Sequence, residues 1–168
     1  MIVVNPTPCH DEPMDRYQPN SDFLKSVIAD DIPFVGEFGG KNLDRLIGFT
    51  EDIDRSNRDW AMLLLSQTEF DTPQVRCALF RGATDCDSDI RCEAILGLAQ
   101  RNVPDAKLLV EKLLREEVVG MMAVEASGFV ADSDLLPILE ELRSWWDVDP
   151  ELLGGAIAAC ATGVKFTR

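Results

Sequence analysis

The sequence predicts an all-α protein, a solenoid of about four antiparallel helical hairpins behind an irregular N-terminal arm. Three observations carry this. From Leu43 onward apolar residues recur at intervals of three and four, the period of helices with one buried stripe. Short polar turns rich in Asp, Ser, Thr and Pro break that period every ten to fifteen residues. Small residues return at matching places on alternate helices: Ala61, Ala94, Ala123 and Ala158 are 33, 29 and 35 residues apart, as expected of stacked helical repeats.

The turns place the elements. The first twenty residues hold Pro6, Pro8, Pro13 and Pro19, which reads as an irregular arm. Ser21 caps a short helix over 22–29. Pro33, Gly36, Gly39 and Gly40 interrupt the stretch from Ile32 to Gly40, whose Phe34, Val35 and Phe38 are apolar enough to cover the end of a core. Residues 1–42 are therefore read as an arm and capping segment, and 43–168 as the repeat domain. Asp52-Ile53-Asp54, Asp71-Thr72-Pro73, the Asp85–Asp89 run, Asn102–Asp105, Asp132-Ser133-Asp134 and Asp147–Pro150 supply N-caps and helix-starting prolines. They predict helices at 43–51, 56–68, 73–84, 88–101, 105–115, 117–131, 134–145 and 150–162.

The second helix of each hairpin carries the repeat. Ile90–Ala99 has small residues at Ala94 and Gly97. Val119–Gly128 matches with Ala123, Ala126 and Gly128, residues 57–66 with Ala61 and Ser66, and 154–163 with Ala158, Ala161 and Gly163. Such residues let paired helices approach and one hairpin nest on the next. Asp89-Ile90-Arg91, Ala94 and Gly97-Leu98-Ala99 resemble the HEAT-repeat family, in particular the bacterial short repeats of phycobilisome-lyase type; Val75-Arg76 and Leu79 follow the pattern loosely. Gly120 stands in place of the arginine in the third repeat, and the fourth keeps only small residues and Gly163. The resemblance spans residues 43–163 and implies a right-handed HEAT-like solenoid.

Composition narrows the function classes. Of 168 residues, 30 are acidic and 16 basic, a formal charge of −14. Such a surface repels phosphate backbones and anionic membranes, so direct nucleic-acid or membrane binding is not expected. The same field accelerates encounter with a basic protein; acidity that serves only solubility is the plainer alternative. Arg55, Arg58, Arg76, Arg81, Arg91 and Arg101 are scattered among acids, with Arg58 and Arg91 at equivalent repeat positions and read as lining the inner face. The five cysteines, Cys9, Cys77, Cys86, Cys92 and Cys160, are odd in number and lack a C-x-x-C pair, which fits a reducing compartment. Met1–Val4 has no basic start, and no apolar run reaches the ~20 residues of a membrane span. A cytoplasmic protein is expected.

Catalytic and metal constellations do not assemble. His10 beside Cys9 lies in the arm, and two residues cannot make a site alone. Val35–Asn42 resembles a phosphate loop but places Val35 and Asn42 where glycine and a magnesium-binding hydroxyl belong, so it is read as a turn. Asp85, Asp87 and Asp89 begin like a calcium loop, yet Leu96 stands where its glutamate should be; they are better helix caps and dipole partners. No cofactor or metal is expected.

What remains is binding. The acids of the turns run along one edge, and Asp52, Asp54, Asp85, Asp87, Asp89, Glu93, Asp132, Asp134, Asp147 and Asp149 are the candidate partner-binding residues. Trp145 and Trp146 join them: adjacent helical residues point about 100° apart, so one ring can pack under the turn while the other anchors a partner. Burial of both in the core is the alternative. The reading is a non-catalytic module, an acidic immunity or inhibitor protein that blocks the active site of a basic partner such as a bacterial nuclease toxin. The alternative is an accessory subunit resembling phycobilin lyases, or a general adaptor. The oligomeric state is left open.

Overall fold

The computed structural model describes residues 17–167. Its helices are α1 (Asp22–Ile28), α2 (Gly39–Phe49), α3 (Arg55–Gln67), α4 (Pro73–Gly82), α5 (Ser88–Gln100), α6 (Ala106–Leu114), α7 (Met121–Val130), α8 (Leu136–Leu142, entered through a 3-10 turn at Ser133–Leu135) and α9 (Pro150–Thr162). There is no strand among the described residues, and no described helix is long and apolar enough to cross a membrane. His10 and Cys9 lie outside the described residues.

Local chemistry starts most of these helices. The side chains of Ser21, Asp54, Thr72, Asp87 and Asp149 each accept a backbone N–H from the first turn they precede. This satisfies donors that the helix cannot pair itself. Pro73 and Pro150 sit in the opening turn of α4 and α9, where the missing N–H costs nothing.

The packing order is regular. Each of α3, α5, α7 and α9 packs on the next; α4 lies against α3 and α5, α6 against α5 and α7, and α8 against α9. Met62, Leu65, Leu79, Ile90, Leu98, Val110, Val124 and Leu139 are fully buried between them. Gly97 marks a close approach on this seam. A Cβ there would stand 3.0 Å from both the Leu79 side chain and the Ser66 Cβ, so the small residue is what brings α5 down onto α3 and α4.

Three expectations need correction. First, α2 begins at Gly39 rather than near residue 43. The glycines do not break it: a Cβ at Gly39 would meet the Phe34 carbonyl oxygen at 2.4 Å, and the Asn42 amide donates to the Pro33 carbonyl (2.7 Å), holding the loop against the helix. Of the loop's three residues expected to cover the core, Phe34 packs there, edge-on to Phe70, while Val35 and Phe38 are exposed. Second, α7 starts at Met121, so the turn expected at 117–120 is not helical. Val118-Val119-Gly120 offers poor helix formers, and Gly120 gives no side-chain cap. Third, α9 buries Ala156, Ile157, Ala159 and Cys160 and exposes Ala158 and Ala161. Ala156, not Ala158, matches Ala123. The glycine pair before it allowed either register in the sequence.

Candidate functional site

The acidic turns are built by their own carboxylates. Asp52 accepts the Asp54 N–H (2.8 Å), Asp85 accepts that of Asp87 (2.9 Å), and Asp132 that of Asp134 (2.9 Å). The D-x-D spacing is thus a turn device, in which the first acid folds the loop. In two of the three, the last acid then caps a helix: Asp54 for α3 and Asp87 for α5. Hydrogen bonds from Ser56, Asn20 and the Asn57 amide hold the Asp54 carboxyl down at about 2.

Cations then cross from turn to turn. Arg55 donates to Asp87 (2.6 and 3.1 Å) and Asp89 (3.0 Å), with Asp59 at 3.6 Å and the Tyr17 ring 5.7 Å from its guanidinium carbon. Arg58 donates to Asp85 (3.2 Å) and to the carbonyls of Asp52 and Ile53 (3.0 and 3.2 Å). Arg91 repeats that clamp on the carbonyls of Asp85 and Cys86 (both 3.1 Å) and reaches Glu116 at 3.6 Å. The equivalence of Arg58 and Arg91 is therefore a turn clamp, with both guanidinia folded back onto their own loops. Lys107 joins Asp132 (3.0 Å) and Asp134 (2.5 Å). Arg55 hydrogen bonding lowers the pKa of Asp87. Burial pushes Asp85 up, but the Asp87 N–H and Arg58 outweigh it, and its pKa is lowered.

The structure thus gathers Asp85, Asp87 and Asp89 around Arg55 and Arg58, and Asp132 with Asp134 around Lys107. Asp52 serves its own turn, Asp149 caps α9 and Asp147 is exposed with no ion pair among the described residues. Most of the expected contact acids have structural work before any partner arrives.

Glu93 behaves differently. It is buried on α5 and accepts from the Ser66 hydroxyl of α3. Burial raises its pKa; the Ser66 bond lowers it, and Glu125 on α7 and Asp59 on α3 raise it further. Burial likewise raises Asp59, against Tyr17 and Arg55, and raises Glu125. Three consecutive helices of the row therefore carry neighbouring carboxylates, and neither Glu93 nor Glu125 forms an ion pair among the described residues. Asp59 and Glu125 were missed in the sequence because helical periodicity marks them only as polar positions.

The tryptophans divide. Trp146 is buried, its indole N–H donating to the Val119 carbonyl (2.8 Å), so it pins the unwound entry to α7. Trp145 is 53% exposed and borders a shallow cleft with Leu114, Arg115, Glu116, Ile138, Glu141 and Leu142. Burial of both rings is excluded.

Between the N-terminal ends of α5 and α7 lies a cavity of about 500 Å³, lined in part by Asp89, Cys92, Glu116, Glu117, Val118 and Met122. It lies beside residues 117–120, which the sequence had placed in a first helical turn of α7. No group of three or more His, Cys, Asp or Glu side chains suited to a metal occurs among the described residues.

No protein-family model matches the chain. Protein YibA of Escherichia coli K12 is 28% identical over 112 residues, which are 67% of this chain and 40% of YibA, and YibA of E. coli O157:H7 matches to the same extent. This chain thus spans well under two thirds of the relatives it matches. The X-ray structure of E. coli YibA superposes with a TM-score of 0.67 at 25% identity, covering 84% of this chain and 50% of that one. A likeness of that size over most of the described helices shows a shared all-helical fold.

Proposed function

We propose that this chain is a non-catalytic protein-binding module, a cytoplasmic HEAT-type right-handed solenoid that acts as an acidic immunity or inhibitor protein. Its partner is a basic protein such as a bacterial nuclease toxin, whose active site it covers. The observation that carries this reading is the carboxylate row Asp59, Glu93 and Glu125 across α3, α5 and α7, each pushed up by burial, with Glu93 in the middle raised further by the other two. A fold gains nothing for its own stability from gathering acids in this way. A cationic partner relieves the repulsion on binding, which makes the row a source of affinity.

Two further features support the reading. The packing order of α3, α5, α7 and α9 suits an extended repeat surface, and the exposed Trp145 beside an acidic cleft is the kind of residue that anchors interfaces. The free thiols Cys77, Cys86, Cys92 and Cys160 suit a reducing cytoplasm.

Affinity capture from the native host at low and at moderate salt tests this. The expected result is one stoichiometric basic protein that is released as salt rises. Several neutral partners bound alike at both salts would replace the inhibitor reading with a general adaptor.

A further inference from the structure

The two junctions between α3, α5 and α7 share a plan, and one of their differences falls at the position of Arg55. Helix α5 follows α3 at an offset of 33, so Ser88 matches Arg55. At the α3–α5 junction the Arg55 guanidinium leaves the first turn of α3 and bridges to Asp87 and Asp89. The ring of Tyr17 lies beneath it, and Asp59 stands at its side. At the α5–α7 junction the matching side chain is the short, exposed hydroxymethyl of Ser88, and the space is the 500 Å³ cavity.

We infer that this cavity receives one arginine side chain of the basic partner, in the manner of Arg55 at the preceding junction. The inference rests on the inhibitor reading for the origin of that arginine. The walls suit it. Asp89 comes from α5 and Glu116 and Glu117 from the strand of chain leading into α7, while Cys92, Val118 and Met122 supply apolar surface for a methylene stem. Burial and the nearby Glu116 raise the pKa of the Cys92 thiol, so it stays neutral. Glu116 has one cation near it among the described residues, Arg91 at 3.6 Å, which leaves room for a closer donor. The uncapped start of α7 presents about half a positive charge; Asp89 is shared with Arg55 and Glu116 with Arg91, and Glu117, with no ion pair among the described residues, supplies the carboxylate that turns the balance towards a cation. A guanidinium also matches carboxylates through its planar fork, which an ammonium does not.

The test uses the full-length chain labelled with nitrogen-15 and titrated with N-acetyl-arginine amide, with the uncharged N-acetyl-citrulline amide as its isostere. Arginine is expected to give saturable shifts centred on residues 88–92 and 116–122, and citrulline none. Ser88→Arg, at an exposed position, fills the space from within and abolishes those shifts. Glu116→Gln with Glu117→Gln weakens binding by about tenfold, the loss expected for charge-assisted hydrogen bonds. Shifts spread evenly over the turns at 132–134 and 147–149, equal shifts with citrulline, or arginine shifts that survive Ser88→Arg would each overturn the inference. The two proposals fail separately. Arginine seated in the cavity with no basic protein captured removes the inhibitor reading alone. A basic partner captured equally by wild type and Ser88→Arg removes the arginine receptor alone.

Discussion

The α3–α5 junction is laced by the chain's own arginines, whereas the α5–α7 junction is left open at one edge. On the first, Arg55 and Arg58 tie the turn acids, and at the far end Arg101 is buried with its guanidinium donating to the carbonyls of Leu65, Ser66, Thr68 and Phe70 at 2.7–3.0 Å. Arg101 closes the C-terminal end of α3, whose last carbonyls would otherwise be orphaned. On the second junction Ser88 stands for Arg55 and Val130 for Arg101, while Arg91, in the place of Arg58, reaches Glu116 at 3.6 Å. What holds it instead is Trp146, reaching back to the Val119 carbonyl. The same repeat can therefore be finished with charge or with an aromatic ring, and the choice decides whether a cavity remains.

Substitutions on each side sharpen the contrast. The largest loss is expected from Arg101→Ala, which leaves several buried carbonyls unpaired and lowers unfolding stability by about 3 kcal/mol. Urea titration at fixed pH measures it, and a loss below the scatter of surface substitutions would contradict the staple. Trp146→Phe keeps the ring volume in part but abandons the Val119 carbonyl, with an expected cost of about 1–2 kcal/mol. Amide shifts in that variant should move most at 117–122. Arg55→Ala opens the first junction. Because Arg55 is nearly half exposed, the loss should stay within about 1 kcal/mol and shrink with added salt. A salt-independent loss would mean that packing on Tyr17, rather than charge, holds the residue.

The smallest effect is a gain. Burial raises the Glu93 pKa in the folded chain, so the native state retains this proton to higher pH than the unfolded chain does. The stability present at acid pH is lost as pH rises through the folded pKa. Glu93→Gln should therefore raise the Tm near about pH 7 and leave it unchanged near about pH 3, well below the ordinary glutamate pKa, where both states carry the neutral acid. Equal gains at both pH values would point to packing, and would weaken the carboxylate row.

Much of the fold was legible because its start signals are local. Pro73, Asp87 and Pro150 mark the openings of α4, α5 and α9 through contacts within one turn. The entry to α2 was not, since Gly39 acts through a backbone approach to Phe34 that only tertiary packing creates. Gly120 was visible as the missing arginine of the third repeat, but its consequence, an unwound turn beside a cavity, depends on two valines and on Trp146 from 26 residues further along. The turn acids were read as caps, which Asp54, Asp87 and Asp149 are, but their bonds to the chain's own cations were not read. Their partners Arg55, Arg58 and Lys107 lie about 30 residues away, beyond the reach of a local pattern. Asp59 and Glu125 escaped for the related reason that burial of a polar helical position is set by the neighbouring helix.

Residue-resolved hydrogen exchange compares the two junctions most directly. The amides of Asp89, Ile90 and Arg91 are bonded to Asp87, whereas those at 117–120 make no hydrogen bond among the described residues. Exchange at 117–120 should be faster than at 89–91 by at least about tenfold after correction for intrinsic rates. Equal protection of the two segments would mean that the first turn of α7 is helical and that the α5–α7 junction is closed like the one before it.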